Sequence, residues 1–109
     1  MPANFIKLES ADDLDRLIDT SHNRPVVIFK HSSSCGISSG VFNVVDGGVE
    51  TDVHLVVVQK NRDISNLIAS RTGIRHESPQ AIVLHKGSPV YHASHWDIEP
   101  SDILEKIDR

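Results

Sequence analysis

The chain has 109 residues, sets 11 Lys and Arg against 15 Asp and Glu for a formal net charge of −4, and carries a single cysteine. Both signs are mixed along it, so no basic stripe offers itself to a nucleic acid or an anionic membrane, and neither is expected as a partner. The length suits one domain, residues 1–109, able to bury roughly two-thirds of its unfolded surface without metal or disulfide staples. No apolar run approaches the roughly 18 residues of a membrane helix, and Met1 to Leu8 do not pair a basic segment with an apolar one. A soluble, unexported, cytoplasmic protein is therefore expected. One thiol allows no internal disulfide, which agrees with a reducing compartment.

In chain order, Phe5 to Leu8 reads as a short strand. Ser10 with Asp13 three positions on resembles a capping box, and Leu14, Leu17 and Ile18 then recur at helical spacing up to the "SHNRP" turn. Pro25 opens "VVIF", a β-branched run suited to a strand covered on both faces. Ile37, Val41, Val44 and Val45 predict a helical face stopped by Gly47 and Gly48. A second buried strand, His54 to Gln59, precedes a helix marked by Ile64, Leu67 and Ile68 and ended by Gly73. "QAIVLH" and "PVYHAS" flank Lys86, Gly87 and Ser88 as a hairpin, and Ile103, Leu104 and Ile107 define a last helix with Pro100 in its first turn. The order βαβαβαββα predicts an α/β fold with a mixed sheet of about five strands and four flanking helices. With a lone cysteine opening the second helix, it is the thioredoxin-like arrangement.

That cysteine, Cys35, stands in "KHSSSCGISSG". A free cysteine is often a small buried hydrophobe, but cores are not built from "SSSCGISS". At a helix N-terminus a sulfur faces unpaired N–H groups and the positive end of the dipole, which stabilise a thiolate. Suppose its pKa fell by ~2 units from about 8.5. The thiolate fraction near pH ~7.5 would then rise roughly tenfold while intrinsic nucleophilicity fell about eightfold. Attack gains almost nothing; the lasting gain is as a leaving group, which suits accepting a thiol cap and handing it on. Three positions later, where a dithiol reductase has its resolving cysteine, stands Ser38. A hydroxyl can donate a hydrogen bond to a thiolate but cannot resolve a disulfide, so exchange must finish with an outside thiol.

"FKHSSSCGIS", "HESPQ" and "HASHWDI" together resemble the monothiol bacilliredoxins, YtxJ-like proteins of the bacillithiol redox system, over roughly Phe5 to Leu104. The resemblance implies a thiol-disulfide oxidoreductase whose Cys35 removes bacillithiol from S-thiolated client proteins. Bacillithiol would be a co-substrate with no tightly bound cofactor, and a disulfide reductase would be a further partner. The family usually carries proline directly after this cysteine; here the residue is Gly36. "CGIS" also looks like the "CGFS" of monothiol glutaredoxins, which use glutathione and often carry a bridging [2Fe–2S] cluster. Against that alternative, the stretch before the last helix is "SHWD" in place of the glycine pair and Asp of glutathione binders.

Pro79 follows Ser78 at a strand start. An X–Pro bond is cis in only about 5–6% of cases; it is the resemblance that implies a cis bond here, opposite the cysteine. Lys30 and His31 precede the thiol closely enough to lend positive potential to a substrate site, although strand-exit residues of these types are commonly solvated. Ser94, His95, Trp96 and Asp97 occupy the place where glutathione-binding relatives recognise their thiol, and are the candidates for holding bacillithiol. Trp96 could equally be a core-edge aromatic. The 7 His residues are scattered and match no zinc pattern, so no metal is expected.

Overall fold

The computed structural model describes residues 3–33 and 36–108. Its strands are β1 (Asn4–Lys7), β2 (Val26–His31), β3 (Asp52–Val57), β4 (Gln80–His85) and β5 (Ser88–Ser94). Its helices are α1 (Ala11–Ser21), α2 (Gly36–Gly48), α3 (Arg62–Thr72) and α4 (Pro100–Ile107), with one 3-10 turn at His95–Asp97. The five strands form one sheet in the order β1-β3-β2-β4-β5. β1 and β2 run parallel to β3, while β4 is antiparallel to β2 and to β5. This is the predicted mixed α/β sheet, reached through the predicted element order.

The local causes are readable at each boundary. Ser10 Oγ accepts from the Asp13 N–H at 3.1 Å and caps α1, but the Asp13 carboxylate accepts from Glu9 N, not from the cap residue's own N–H as a strict box requires. Gly73 ends α3 in the left-handed region at φ 73, giving its N–H to Ala69 O. Lys86 and Gly87 have φ 57 and 76, both positive as a two-residue hairpin turn demands. That turn docks on the end of α1, where Ser21 accepts from Lys86 N through its carbonyl and from Gly87 N through its hydroxyl.

β2 lies at the centre of the sheet, and its side chains alternate between two cores. Val27 and Phe29 join Val41 and Val45 of α2 and Ile103 of α4. Val26 and Ile28 join Leu14 and Leu17 of α1 and Ile64 and Ile68 of α3. Three expectations are corrected. β3 starts and ends two residues earlier than predicted, at Asp52 and Val57. Gly47 and Gly48 belong to α2 as its last turn. Of the four apolar residues expected on the inner face of α2, only Val41 and Val45 are buried; Ile37 is 45% and Val44 44% exposed. At 100° per residue those two fall on the flank of the stripe, and no element covers that flank among the described residues.

Ile82 of β4 is fully buried among Leu14, Ile64 and Ile68. Ile82→Ala should therefore lower unfolding free energy by roughly 2–5 kcal/mol, measured by chemical denaturation with the unfolding slope unchanged.

Candidate functional site

Two short segments converge on the start of α2. The first runs out of β2. Lys30 and His31 are consecutive, so the strand sends them to opposite faces. The His31 side chain turns toward α2, where Nδ1 lies 2.8 Å from Ser38 Oγ, and Ser38 Oγ also accepts from the Ser32 N–H at 2.9 Å. Ser38 is completely buried. The loop that follows is tied to the end of β3, with Gln59 donating to Ser32 Oγ at 2.7 Å and accepting from Ser33 N at 3.2 Å. α2 begins at Gly36, directly after Cys35 in sequence, and Cys35 itself lies outside the described residues. Burial pushes the His31 imidazole below its usual range, favouring the neutral ring.

The second segment precedes β4. The Ser78–Pro79 peptide is cis, and Pro79 O accepts from His95 N at 2.9 Å. The "SHWD" loop is thereby joined to Pro79. His95 holds φ 56, a left-handed conformation that histidine adopts more readily than most residues, and its Nδ1 lies 3.8 Å from the Glu77 carboxylate. A hydrogen bond from Ser94, followed by the charges of His95, Arg75 and His76, holds the exposed Glu77 carboxyl below its usual range, with partial desolvation opposing them. Trp96 is 60% exposed and rests its ring against Gly40, where an added Cβ would come within 2.7 Å of the indole. Trp96 thus belongs to the 3-10 turn and lies on the surface against α2's second turn, and the core-edge alternative is corrected. Asp97 is exposed at the end of the same turn. Ser78 Oγ is buried without a hydrogen-bond partner among the described residues.

Lys30 is the clearest correction. Expected to face substrate or solvent at the strand exit, it is 0% exposed and enters the layer between the sheet and α3. Its ammonium donates to Ser65 O at 3.0 Å and lies 3.2 Å from His76 Nδ1, which Ser65 Oγ approaches at 2.9 Å. Burial lowers the lysine from 10.5 to about 8. Ser65 and His76 were absent from the sequence reading. The signal was there: Lys30 shares its strand face with Val26 and Ile28, so a strand sealed on both sides puts it inside.

Two cavities lie away from the loop that precedes α2, one at the start of β2 and β3 and the other along the edge strand β1 against α1. One, about 300 Å³, is lined by Arg24, Asp52, His54 and Ile107 among others, and the second, about 220 Å³, by Leu8, Arg16 and again Arg24 and His54. Neither is lined by residues from Lys30 to Gly40, so they do not belong to the thiol's surroundings. Among the described residues no group of three or more His, Cys, Asp or Glu could hold a metal ion, and no helix is long and apolar enough to cross a membrane.

The family model described as monothiol bacilliredoxin BrxC matches residues 6–103. A solved structure described as a candidate oxidoreductase with a thioredoxin fold is 33% identical, covers 94% of this chain and 92% of its own, and superposes with a TM-score of 0.83. Thioredoxin NaTrxh from Nicotiana alata is similar in fold alone, at 16% identity and a TM-score of 0.73 over 98% of this chain and 92% of its own. So is a thioredoxin from Halobacterium salinarum, at 18% identity and 0.71 over 96% and 88%.

The Lys30 surroundings predict a pH signature. Its folded pKa lies below the unfolded one, so between about 8 and 10.5 the unfolded chain holds more protons than the folded chain. Stability of the native protein should rise through that window relative to Lys30→Met. Denaturant titrations of both proteins at several pH values would show the difference closing toward high pH; a constant difference would mean that Lys30 titrates normally.

Proposed function

Because the chain belongs to the monothiol bacilliredoxin family, and is accordingly a thiol-disulfide oxidoreductase of thioredoxin fold, we propose that it removes bacillithiol from S-bacillithiolated client proteins through Cys35. The carrying observation is at the resolving position. Ser38 is fully buried and bonded to Ser32 and His31, and the chain has one cysteine, so a cap taken onto Cys35 has no second thiol of the chain to meet. In the first step the Cys35 thiolate attacks the small-thiol sulfur of the client's mixed disulfide. A new S–S bond joins Cys35 to bacillithiol, and the client leaves as a thiolate that takes a proton from water. In the second step the thiolate of another small thiol attacks the capping sulfur, the symmetric small disulfide departs, and Cys35 returns as a thiolate. The chain is neither oxidised nor reduced over the cycle.

Recognition falls to the groups around the two converging segments. Ser78 and Pro79 present the edge that leads into β4, with Gly36 opening α2 across from the client backbone. The cap of bacillithiol, a malate-bearing sugar, needs donors for its carboxylates. Ser94, His95 and Trp96 supply a hydroxyl, an imidazole and an exposed ring, and Asp97 accepts sugar hydroxyls. His31 shapes the thiol's side of the site. Lys30 does not touch the cap, since its ammonium is spent on Ser65 and His76. The cytoplasm is the compartment in which such mixed disulfides would be met.

Exposure of the native protein to bacillithiol disulfide should add one cap, read by intact mass spectrometry, and Cys35→Ser should add none; an unmodified native protein would retire the proposal. A parallel exposure to glutathione disulfide separates thiol preference from thiol reactivity. Trp96→Ala should leave the thermal melt nearly unchanged, within about 0.5 kcal/mol as for exposed sites, while slowing release of client from a bacillithiol-capped substrate severalfold. His95→Ala should slow the same step without altering the titration of Cys35.

A further inference from the structure

The residues from Ile74 to Ser78, which lead into Pro79, lie in no helix or strand, and side chains hold them in place. Ile74 packs on the core that contains Ile64 and Ile68. Gln80 Nε2 donates to Arg75 O at 2.9 Å. Glu77 turns outward to Ser94 and His95. His76 turns inward, onto the fully buried ammonium of Lys30 and the hydroxyl of Ser65, itself 1% exposed.

Proton counting fixes the state of that imidazole. An ammonium has three protons and no lone pair, so across the 3.2 Å contact with His76 Nδ1 it can only donate. Nδ1 is therefore bare, and the ring's proton sits on Nε2. Were Nδ1 protonated, Ser65 Oγ, 2.9 Å away, could accept from it, but the ammonium would lose an acceptor and meet a like charge in contact. The carboxylate that acts on the ring, Glu77, is turned toward His95 and does not separate the two cations. Charged Lys30 and neutral His76 thus go together, and proton uptake by the ring breaks the inner support of the segment.

We propose that His76 is a positioning residue for the Ser78–Pro79 edge: as a neutral acceptor on Lys30 it braces the segment from inside, and an imidazolium at this position releases it. The inference rests on the reading that this edge meets the client. His76 acts through the backbone it carries and is asked for no contact with the client itself. The charged groups facing the ring are Lys30 from β2 and Arg62 from α3, with Glu77 on its own segment; Arg75 and His95 act on Glu77 in turn. Burial first, then the Lys30 and Arg62 charges, hold the imidazole below its usual range against the pull of Glu77, whereas Lys30, at about 8, keeps its proton in preference to the ring.

The test begins with the ring nitrogens of His76, read by their chemical shifts in the intact protein. At neutral pH they should show a bare Nδ1 and a protonated Nε2, and the amide signals of Glu77, Ser78 and His95 should follow the ring as it is titrated with acid. Lys30→Met should raise the His76 titration by roughly one unit or more, as expected on removing a like charge in contact. His76→Asn is the decisive variant, because an amide oxygen on Cγ takes the place of Nδ1, accepts from Lys30 and cannot be protonated in this range. Client release, divided by the rate at which the same protein is capped by bacillithiol disulfide so that thiolate fraction cancels, should fall severalfold in native protein as His76 titrates. In His76→Asn it should stay flat, and in His76→Ala it should be low throughout. Circular dichroism establishes that each variant is folded, and the ring measurement on native protein needs no variant. A protonated Nδ1 at neutral pH, a His76 titration indifferent to Lys30→Met, or the same acid loss in His76→Asn as in native protein would overturn the proposal, the last assigning the loss to His95 or Glu77. The cap-transfer reading fails separately: a protein whose His76 titration moves those amides yet takes no small-thiol cap keeps the brace and loses the substrate.

Discussion

β2 is flanked by β3 and β4 and covered by helices on both faces, so none of its side chains can turn to solvent until the strand ends. Val26 to Lys30 are all buried, and alternation assigns each to one of two separate cores. Where the run of apolar residues stops, the alternation continues with polar ones. Lys30 is delivered to α3 and His31 to α2, and each must find partners where it lands, since an unpartnered buried polar group costs roughly 1–3 kcal/mol. Ser65 and His76 answer the first, Ser38 the second. The placement of the polar groups at this end of the sheet is thus a consequence of burying the strand that precedes the thiol.

Most of the framework was legible because it is written in local patterns. Continuous β-branched runs, helical spacing and turn residues announced all five strands and four helices in order, and the mixed topology followed. What was not legible depends on partners distant in sequence. Nothing near Lys30 announces that Ser65 and His76, 35 and 46 positions away, will receive its ammonium. The apolar spacing of α2 counted Ile37 and Val44 as core, because spacing identifies a stripe but not how much of it the sheet is wide enough to cover. Trp96 illustrates the same limit: an aromatic beside a terminal helix is usually inside, and here a glycine on α2 instead gives its ring a flat seat outside. At the candidate site, Ser38 stands at the third position after the cysteine as read from the sequence, whereas its contact with His31 and that of His95 with Pro79 could only be seen in three dimensions.

The arrangement also separates two tasks that dithiol relatives combine. A second cysteine at the third position would both tune the first thiol and discharge it. Ser38 supplies no thiol for the second task, and its hydroxyl is buried against His31 and the Ser32 amide. Discharge then depends on the arrival of a small thiol from solution. This suits a cap that is presented by one macromolecule and withdrawn by a free small molecule.

The contact between Trp96 and Gly40 makes the chain its own indicator. Gly40 lies five residues beyond Cys35, in the second turn of α2, and the indole laid against it is the single tryptophan of the sequence. The residue is more than half exposed, so its emission reflects whatever replaces water at that edge of the helix. A sugar-bearing cap seated there would exclude solvent and shift the emission, and its removal would restore it. Loading and unloading of the thiol could then be followed in real time by intrinsic fluorescence, with no dye attached and with no other indole to obscure the signal.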